Sequence, residues 1–165
     1  MNKNNKFFIY IFASILFLLS FDFSDFSPNL SFPITNKKYT ITSKYGYRML
    51  NYYHFHNGID IALVEGTKLY AMADGVITFI GYSEGYGNNI IITYTNGYKS
   101  MYGHISSDFL VKKGQTVSQG ELVAYVGPKY LKSGKLNGMT TGPHLHFTLY
   151  KNNKHINPLS IKYST

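Results

Sequence analysis

No cysteine occurs in the 165 residues. Disulfides and thiolate metal sites are therefore excluded, and so is lipid attachment at an N-terminal cysteine. This absence does not place the chain in the cytosol, because exported bacterial proteins often lack cysteine. Acidic residues are scarce, eight against sixteen lysines and arginines, which leaves a formal charge of +8. Such a balance favours a polyanionic partner: nucleic acid, anionic lipid or an anionic cell-wall polymer. The lysines are scattered and no recognition-helix pattern accompanies them, which argues against nucleic acid.

Long apolar runs are also rare. The exception is Phe7 to Phe21, uncharged and preceded by Lys3 and Lys6. A basic start followed by an apolar stretch is the pattern of an export signal. It falls short of the roughly 20 residues that cross a bilayer as a helix. Ser20, Ser24 and Ser27 are the small residues near a cleavage point. We expect residues 1–21 to be a signal peptide or N-terminal membrane anchor. The protein would then be exported, periplasmic or envelope-associated, with the cytoplasmic membrane contacted through this segment. Residues 22–38, broken by Asp22, Asp25, Pro28 and Pro33, read as a linker. Residues 39–160 suffice for one domain with a core of its own.

No stretch of that domain holds a helical period. Instead, short β-prone runs are cut by glycines. Gly75–Gly81, Asn89–Tyr94, Tyr98–His104, Leu122–Gly127 and His144–Tyr150 read as strands, with a hairpin turn at Asn96-Gly97. The expected fold class is all-β, with antiparallel sheets and long loops that form a groove. The longest irregular stretch, residues 128–142, leads directly into His144, and loops of that length are usually functional.

His144-Leu145-His146 is the most informative feature. Side chains alternate along a strand, so both imidazoles face one way. Far upstream, His56-Asn57-Gly58-Ile59-Asp60 pairs another histidine with a carboxylate across a glycine that permits a tight backbone. Together they offer a three-ligand nitrogen and oxygen metal site with one imidazole to spare, the composition of a metal-activated hydrolase. Mainly nitrogen ligands favour zinc over magnesium or calcium. No His-Glu-x-x-His motif is present, so no glutamate base is implied, and an imidazole can take that role. His104 ends a strand after Tyr102-Gly103. His54 shares the face of His56 and is a weaker ligand candidate. His155, among Lys151, Asn152, Asn153 and Lys154, reads as solvated in a turn.

These residues occur in one order with one set of neighbours. Ser43-Lys44-Tyr45-Gly46-Tyr47-Arg48 precedes His56-Asn57-Gly58-Ile59-Asp60-Ile61-Ala62. Gly85-Tyr86-Gly87-Asn88, Tyr102-Gly103-His104-Ile105-Ser106 and Lys113-Gly114-Gln115-Thr116-Val117 follow. Thr141-Gly142-Pro143-His144-Leu145-His146-Phe147 and Asn157-Pro158 close the series. From about Ser43 to Pro158 the chain resembles the lysostaphin-type, or LytM-type, zinc metallopeptidases, which cleave peptidoglycan. The resemblance implies one zinc ion held by His56, Asp60 and His146, with His104 and His144 as the catalytic pair beside it. It implies a zinc endopeptidase acting on peptidoglycan cross-links or stem peptides during wall remodelling. The chain departs from the family between Gly127 and His144, where the segment is longer and carries Lys129, Tyr130, Lys132 and Lys135. That segment is expected to form a groove wall. In some relatives a tyrosine upstream of the first ligand assists catalysis, and Tyr52 and Tyr53 are the nearby candidates.

Two alternatives are weighed against this. A wall-binding or regulatory module that positions another hydrolase would not need all five of these residues, which are present. Lys112 to Gly120 resembles the hairpins of lipoyl and biotinyl carriers, but no lysine sits in a matching hairpin-tip context.

Overall fold

The computed structural model describes residues 29–35, 38–49 and 53–164. The expected export segment, residues 1–21, lies outside the described residues, and nothing there tests it. Among the described residues, no helix is long and apolar enough to cross a membrane.

Among the described residues the fold has twelve strands: β1 (Thr40–Ser43), β2 (Gly46–Met49), β3 (Tyr53–His56), β4 (Ile59–Ala62), β5 (Lys68–Tyr70), β6 (Gly75–Ser83), β7 (Gly87–Tyr94), β8 (Tyr98–Gly103), β9 (Thr116–Val117), β10 (Leu122–Tyr125), β11 (His144–Lys151) and β12 (Lys154–Ile156). Eight of them form one sheet in the order β1-β4-β11-β8-β7-β6-β9, with β12 also paired to β11. Strands β5 and β10 pair separately, and so do β2 and β3. All of these pairings are antiparallel. The all-β expectation is borne out.

Alternation along β11 separates the two jobs of the sheet. Leu145, Phe147 and Leu149 are fully buried in the core, together with Ile59 and Ile61 of β4, Tyr102 of β8, and Ile90 and Ile92 of β7. His144, His146, Thr148 and Tyr150 take the opposite face. Leu69, Val123, Ala124 and Val126, on or beside β5 and β10, join the same apolar cluster. Burial of these aliphatic and aromatic side chains supplies the main drive to fold.

The described part of the expected linker needs correction. Leu30 is 0% exposed and Ile34 is buried. Phe32 packs edge-on against Phe147 at 5.9 Å between ring centroids, and Ser31 bridges to Ser164. Residues 29–35 thus belong to the folded unit. Their apolar residues alternate with Ser31 and Pro33, a period of two hidden by the breaker residues.

The Asn96-Gly97 hairpin is present, joining β7 to β8. Gly97 takes φ +77, and Thr93 pairs with Lys99. Gly97 therefore provides the left-handed position of a hairpin loop. A second, tighter hairpin joins β11 to β12, with Asn152 and Asn153 both at positive φ and Lys151 paired with Lys154. Asparagine tolerates this conformation better than most residues. His155 lies on β12 and not in a turn. It is exposed, as expected.

Candidate metal centre and cleft

Three elements bring the metal-ligand candidates together. His56 ends β3, Asp60 lies on β4, and His146 lies on β11 directly opposite Asp60 in the strand register. His146 Nδ1 is 2.8 Å from Asp60 Oδ1. His56 Nε2 is 3.1 Å from His146 Nδ1 and 3.2 Å from Asp60 Oδ1. These three side chains form a cluster able to hold a metal ion.

Gly58 permits the approach through space and not through an unusual turn. A Cβ there would lie 2.5 Å from the Phe147 carbonyl oxygen, 2.8 Å from Thr148 Oγ1 and 3.0 Å from His146 Nε2. Only a glycine lets this loop pass so close to β11.

Hydrogen bonds to carbonyl oxygens decide which ring nitrogen points inward. A carbonyl accepts and cannot donate, so a nitrogen bonded to it carries the hydrogen. His56 Nδ1 donates to the Lys44 carbonyl at 2.9 Å, leaving the Nε2 lone pair for the cluster. Thr148 Oγ1 lies 3.0 Å from His146 Nε2, and a bond donated to it leaves Nδ1 as the free acceptor. Asp60 accepts through both oxygens. Three acceptors therefore converge with no donor between them, the donor set that a cation satisfies. The residues fit zinc.

Asp60 is also held from outside. Its second oxygen, Oδ2, accepts from Arg48 Nη1 at 3.3 Å. Arg48 in turn bonds Ser43 Oγ, and its Nε donates to His54 Nε2 at 3.0 Å. Burial alone would raise the Asp60 pKa, but the adjacent His146 and His56 imidazoles outweigh it. The carboxylate is held well below its usual range. Burial pushes His146 down, against the pull of Asp60. The centre therefore combines a carboxylate with an imidazole kept from protonating.

His104 and His144 stand beside this cluster. Their ring centroids are 4.5 Å apart, and His144 Nε2 is 3.8 Å from Asp60 Oδ1. His144 Nδ1 donates to the Gly142 carbonyl at 2.8 Å, and His104 Nδ1 donates to the Asn137 carbonyl at 2.6 Å. Both Nε2 atoms are thus unprotonated in the neutral rings. Burial lowers the His104 pKa to about 4, with the Asn137 carbonyl opposing the shift. His104 itself adopts φ +57, a strained state for a residue with a side chain. Its N–H donates to the Tyr86 carbonyl at 2.7 Å, and its carbonyl accepts from Gly127 at 2.9 Å.

All five expected residues line one cleft of about 370 Å³, together with Arg48, His54, Asn57, Tyr86 and Met139. His54 reaches the cleft but lies outside the ligand cluster, committed to Arg48. Tyr53 is 63% exposed, stacks on Tyr47 at 5.0 Å and does not line the cleft. Tyr52 lies outside the described residues. The tyrosine in the cleft is Tyr86, whose ring centroid is 5.1 Å from that of His146. Sequence reasoning used Tyr86 and Arg48 only as parts of a motif and missed both contacts. The signal available was their place in Gly85-Tyr86-Gly87 and beside Ser43.

The long segment 128–142 does form one wall, through Met139. Its basic residues do not line that wall. Lys135 lies over the Tyr82 ring at 3.9 Å, and Lys129 over Tyr130 at 5.3 Å.

The sequence profile of Peptidase family M23 matches residues 54–158. The chain is 41% identical over 128 residues to the DD-carboxypeptidase/endopeptidase Mpg of Neisseria meningitidis serogroup B, covering 76% of this chain and 27% of that protein. It spans about a quarter of the length of the curated relatives it matches. A zinc-containing peptidase from Vibrio cholerae superposes with a TM-score of 0.69 at 28% identity, over 84% of this chain and 41% of that one. The catalytic domain of the antimicrobial peptidase lysostaphin from Staphylococcus simulans gives 0.59 at 28% identity, over 74% and 90%. With the profile spanning most of the fold and every residue of the cleft's histidine and aspartate cluster except His54 lying within the motifs of that resemblance, the chain belongs to peptidase family M23.

Proposed function

We propose that the chain is a zinc-dependent endopeptidase that hydrolyses peptide bonds in peptidoglycan cross-links or stem peptides at the cell envelope. The observation that carries this reading is the convergence of His56 Nε2, Asp60 Oδ1 and His146 Nδ1 within 3.2 Å of one another, with two further imidazoles alongside. In this reading His56, Asp60 and His146 hold the metal. A bound zinc ion polarises the scissile carbonyl and acidifies water at neutral pH.

The chain's own groups do the remaining work. His104 and His144 present unprotonated Nε2 atoms to the cleft and act as the acid–base pair. The backbone carbonyls of Asn137 and Gly142 fix the rings and stabilise each imidazolium as it forms. Arg48 keeps Asp60 Oδ2 occupied, so that one carboxylate oxygen is presented inward. The basic surface suits an anionic wall polymer. Export through residues 1–21, as a cleaved signal or a retained anchor, completes the proposal.

The experiment is digestion of purified peptidoglycan by the zinc-loaded chain, with mass analysis of the soluble fragments and a chelated control. Release of peptide-cleaved fragments only with metal present is expected. Stoichiometric zinc without release of fragments would overturn the reading.

A further inference from the structure

Asn57, next to the ligand His56, takes no part in holding metal, yet its amide is fixed. Its Nδ2 donates to the Tyr86 hydroxyl at 2.5 Å and lies 3.5 Å from His155 Nε2. His155 is seated by Tyr150, at 4.7 Å between ring centroids, and its carbonyl accepts from the Tyr45 hydroxyl at 3.1 Å. Tyr150 lies on the same face of β11 as His144, His146 and Thr148. The row of metal-site side chains therefore continues into a polar, aromatic end. Asn57 and Tyr86 both line the cleft.

A count of hydrogens shows what this end offers. The amide hydrogens of Asn57 go to Tyr86 and His155, and among the described residues nothing donates to its Oδ1. The Tyr86 oxygen accepts from Asn57, and no described residue accepts the phenolic hydrogen. One unused acceptor and one unused donor thus sit on adjacent side chains. One residue of an extended peptide carries the complement on one edge, its own N–H and its own carbonyl.

We propose that Asn57 and Tyr86 form a main-chain-binding subsite that receives one extended residue beside the scissile bond. The Tyr86 hydroxyl donates to its carbonyl and Asn57 Oδ1 accepts its N–H. This rests on the peptidase reading above and adds to it a recognition element built from residues that hold no metal and move no proton. Because the Tyr86 ring packs on His146 and its backbone carbonyl anchors His104, a substrate bound there is in register with both.

The test uses the full zinc-loaded chain and a cross-linked peptide dimer released from peptidoglycan. Two analogues replace the N–H of the peptide group on either side of the scissile bond with an ester oxygen. Tyr86→Phe and Asn57→Ala should each lower kcat/KM about 3- to 10-fold, the range of one hydrogen bond, at unchanged zinc content. One ester analogue should cost the wild type a similar factor and cost Asn57→Ala nothing. Wild-type kcat/KM in both variants, or an ester penalty that persists undiminished in Asn57→Ala, would overturn the proposal. If the wild type does not cut the dimer, the peptidase reading fails, and calorimetric binding of the same dimer judges the subsite. Binding about 3- to 10-fold weaker in Tyr86→Phe supports it. Equal binding, or none by the wild type, overturns it.

Discussion

The Asn137 carbonyl accepts a hydrogen bond from His104 Nδ1 at 2.6 Å, across 33 residues of sequence. Asn137 is fully buried, and its side chain ties three backbone groups together. Its Nδ2 donates to the carbonyls of Ile105 and Pro128, and its Oδ1 accepts from the Asn88 N–H. One asparagine therefore sets the position of a catalytic candidate that lies on a different element.

Asn137→Ala strands those three backbone groups in a buried setting. We expect a loss of about 2–4 kcal/mol, since unpaired buried donors and acceptors are costly. Urea unfolding measures it. Zinc content should hold while cleavage falls, because the carbonyl that anchors His104 loses the side-chain clamp that positions it, and the metal ligands lose nothing.

Gly58 and Gly142 should respond oppositely to alanine. At Gly58 the new methyl meets the backbone oxygen of Phe147, which cannot move without breaking β11. Overpacking of this kind costs about 1–3 kcal/mol, and zinc affinity should fall as His146 is displaced. At Gly142 nothing lies within 4 Å and φ is ordinary, so stability should stay within about 0.5 kcal/mol. Equal denaturation midpoints for the two variants would contradict the stated role of Gly58.

Metal binding should follow the cluster and not the histidine count. His146→Ala and His56→Ala should lose most of the one zinc ion expected per chain, as read by elemental analysis. His54→Ala should keep it. Loss of zinc from His54→Ala with retention in His56→Ala would reverse the assignment.

His104→Ala and His144→Ala should retain zinc and each lose roughly 10²- to 10⁴-fold in wall-peptide cleavage, the usual contribution of general acid–base groups. Their rings are in contact, so the double variant should lose less than the product of the single effects. Near wild-type cleavage by both single variants would overturn the catalytic assignment of this pair.

Much of this was legible before any coordinates, and the reasons are local. Alternation places His144 and His146 on one face whatever the sheet order, and Asn96-Gly97 announces its own hairpin. The resemblance named the five residues that the structure gathers in one cleft. Strand β12 was hidden because Lys151–His155 is polar and half of its signal lies in two asparagines at positive φ. The core role of Leu30 and Ile34 was masked by neighbouring serine and proline. Contacts such as Asn137 to His104, or Arg48 to Asp60, join residues far apart in sequence or across a ribbon. No spacing rule reports them. The reason for Gly58 was also misjudged from sequence, since the glycine answers to a strand 89 residues away.

The tip of the segment before Asn137 closes on itself. Leu131 N–H donates to the Lys135 carbonyl and Gly134 N–H to the Leu131 carbonyl, each at 2.8 Å, and Tyr130 bridges to Leu136. Below that small clasp, Asn137 clamps the stem. Changes in length between Leu131 and Lys135 are thereby insulated from His104. The tip is a natural graft point, where foreign peptide can be inserted while the chemistry underneath keeps its geometry.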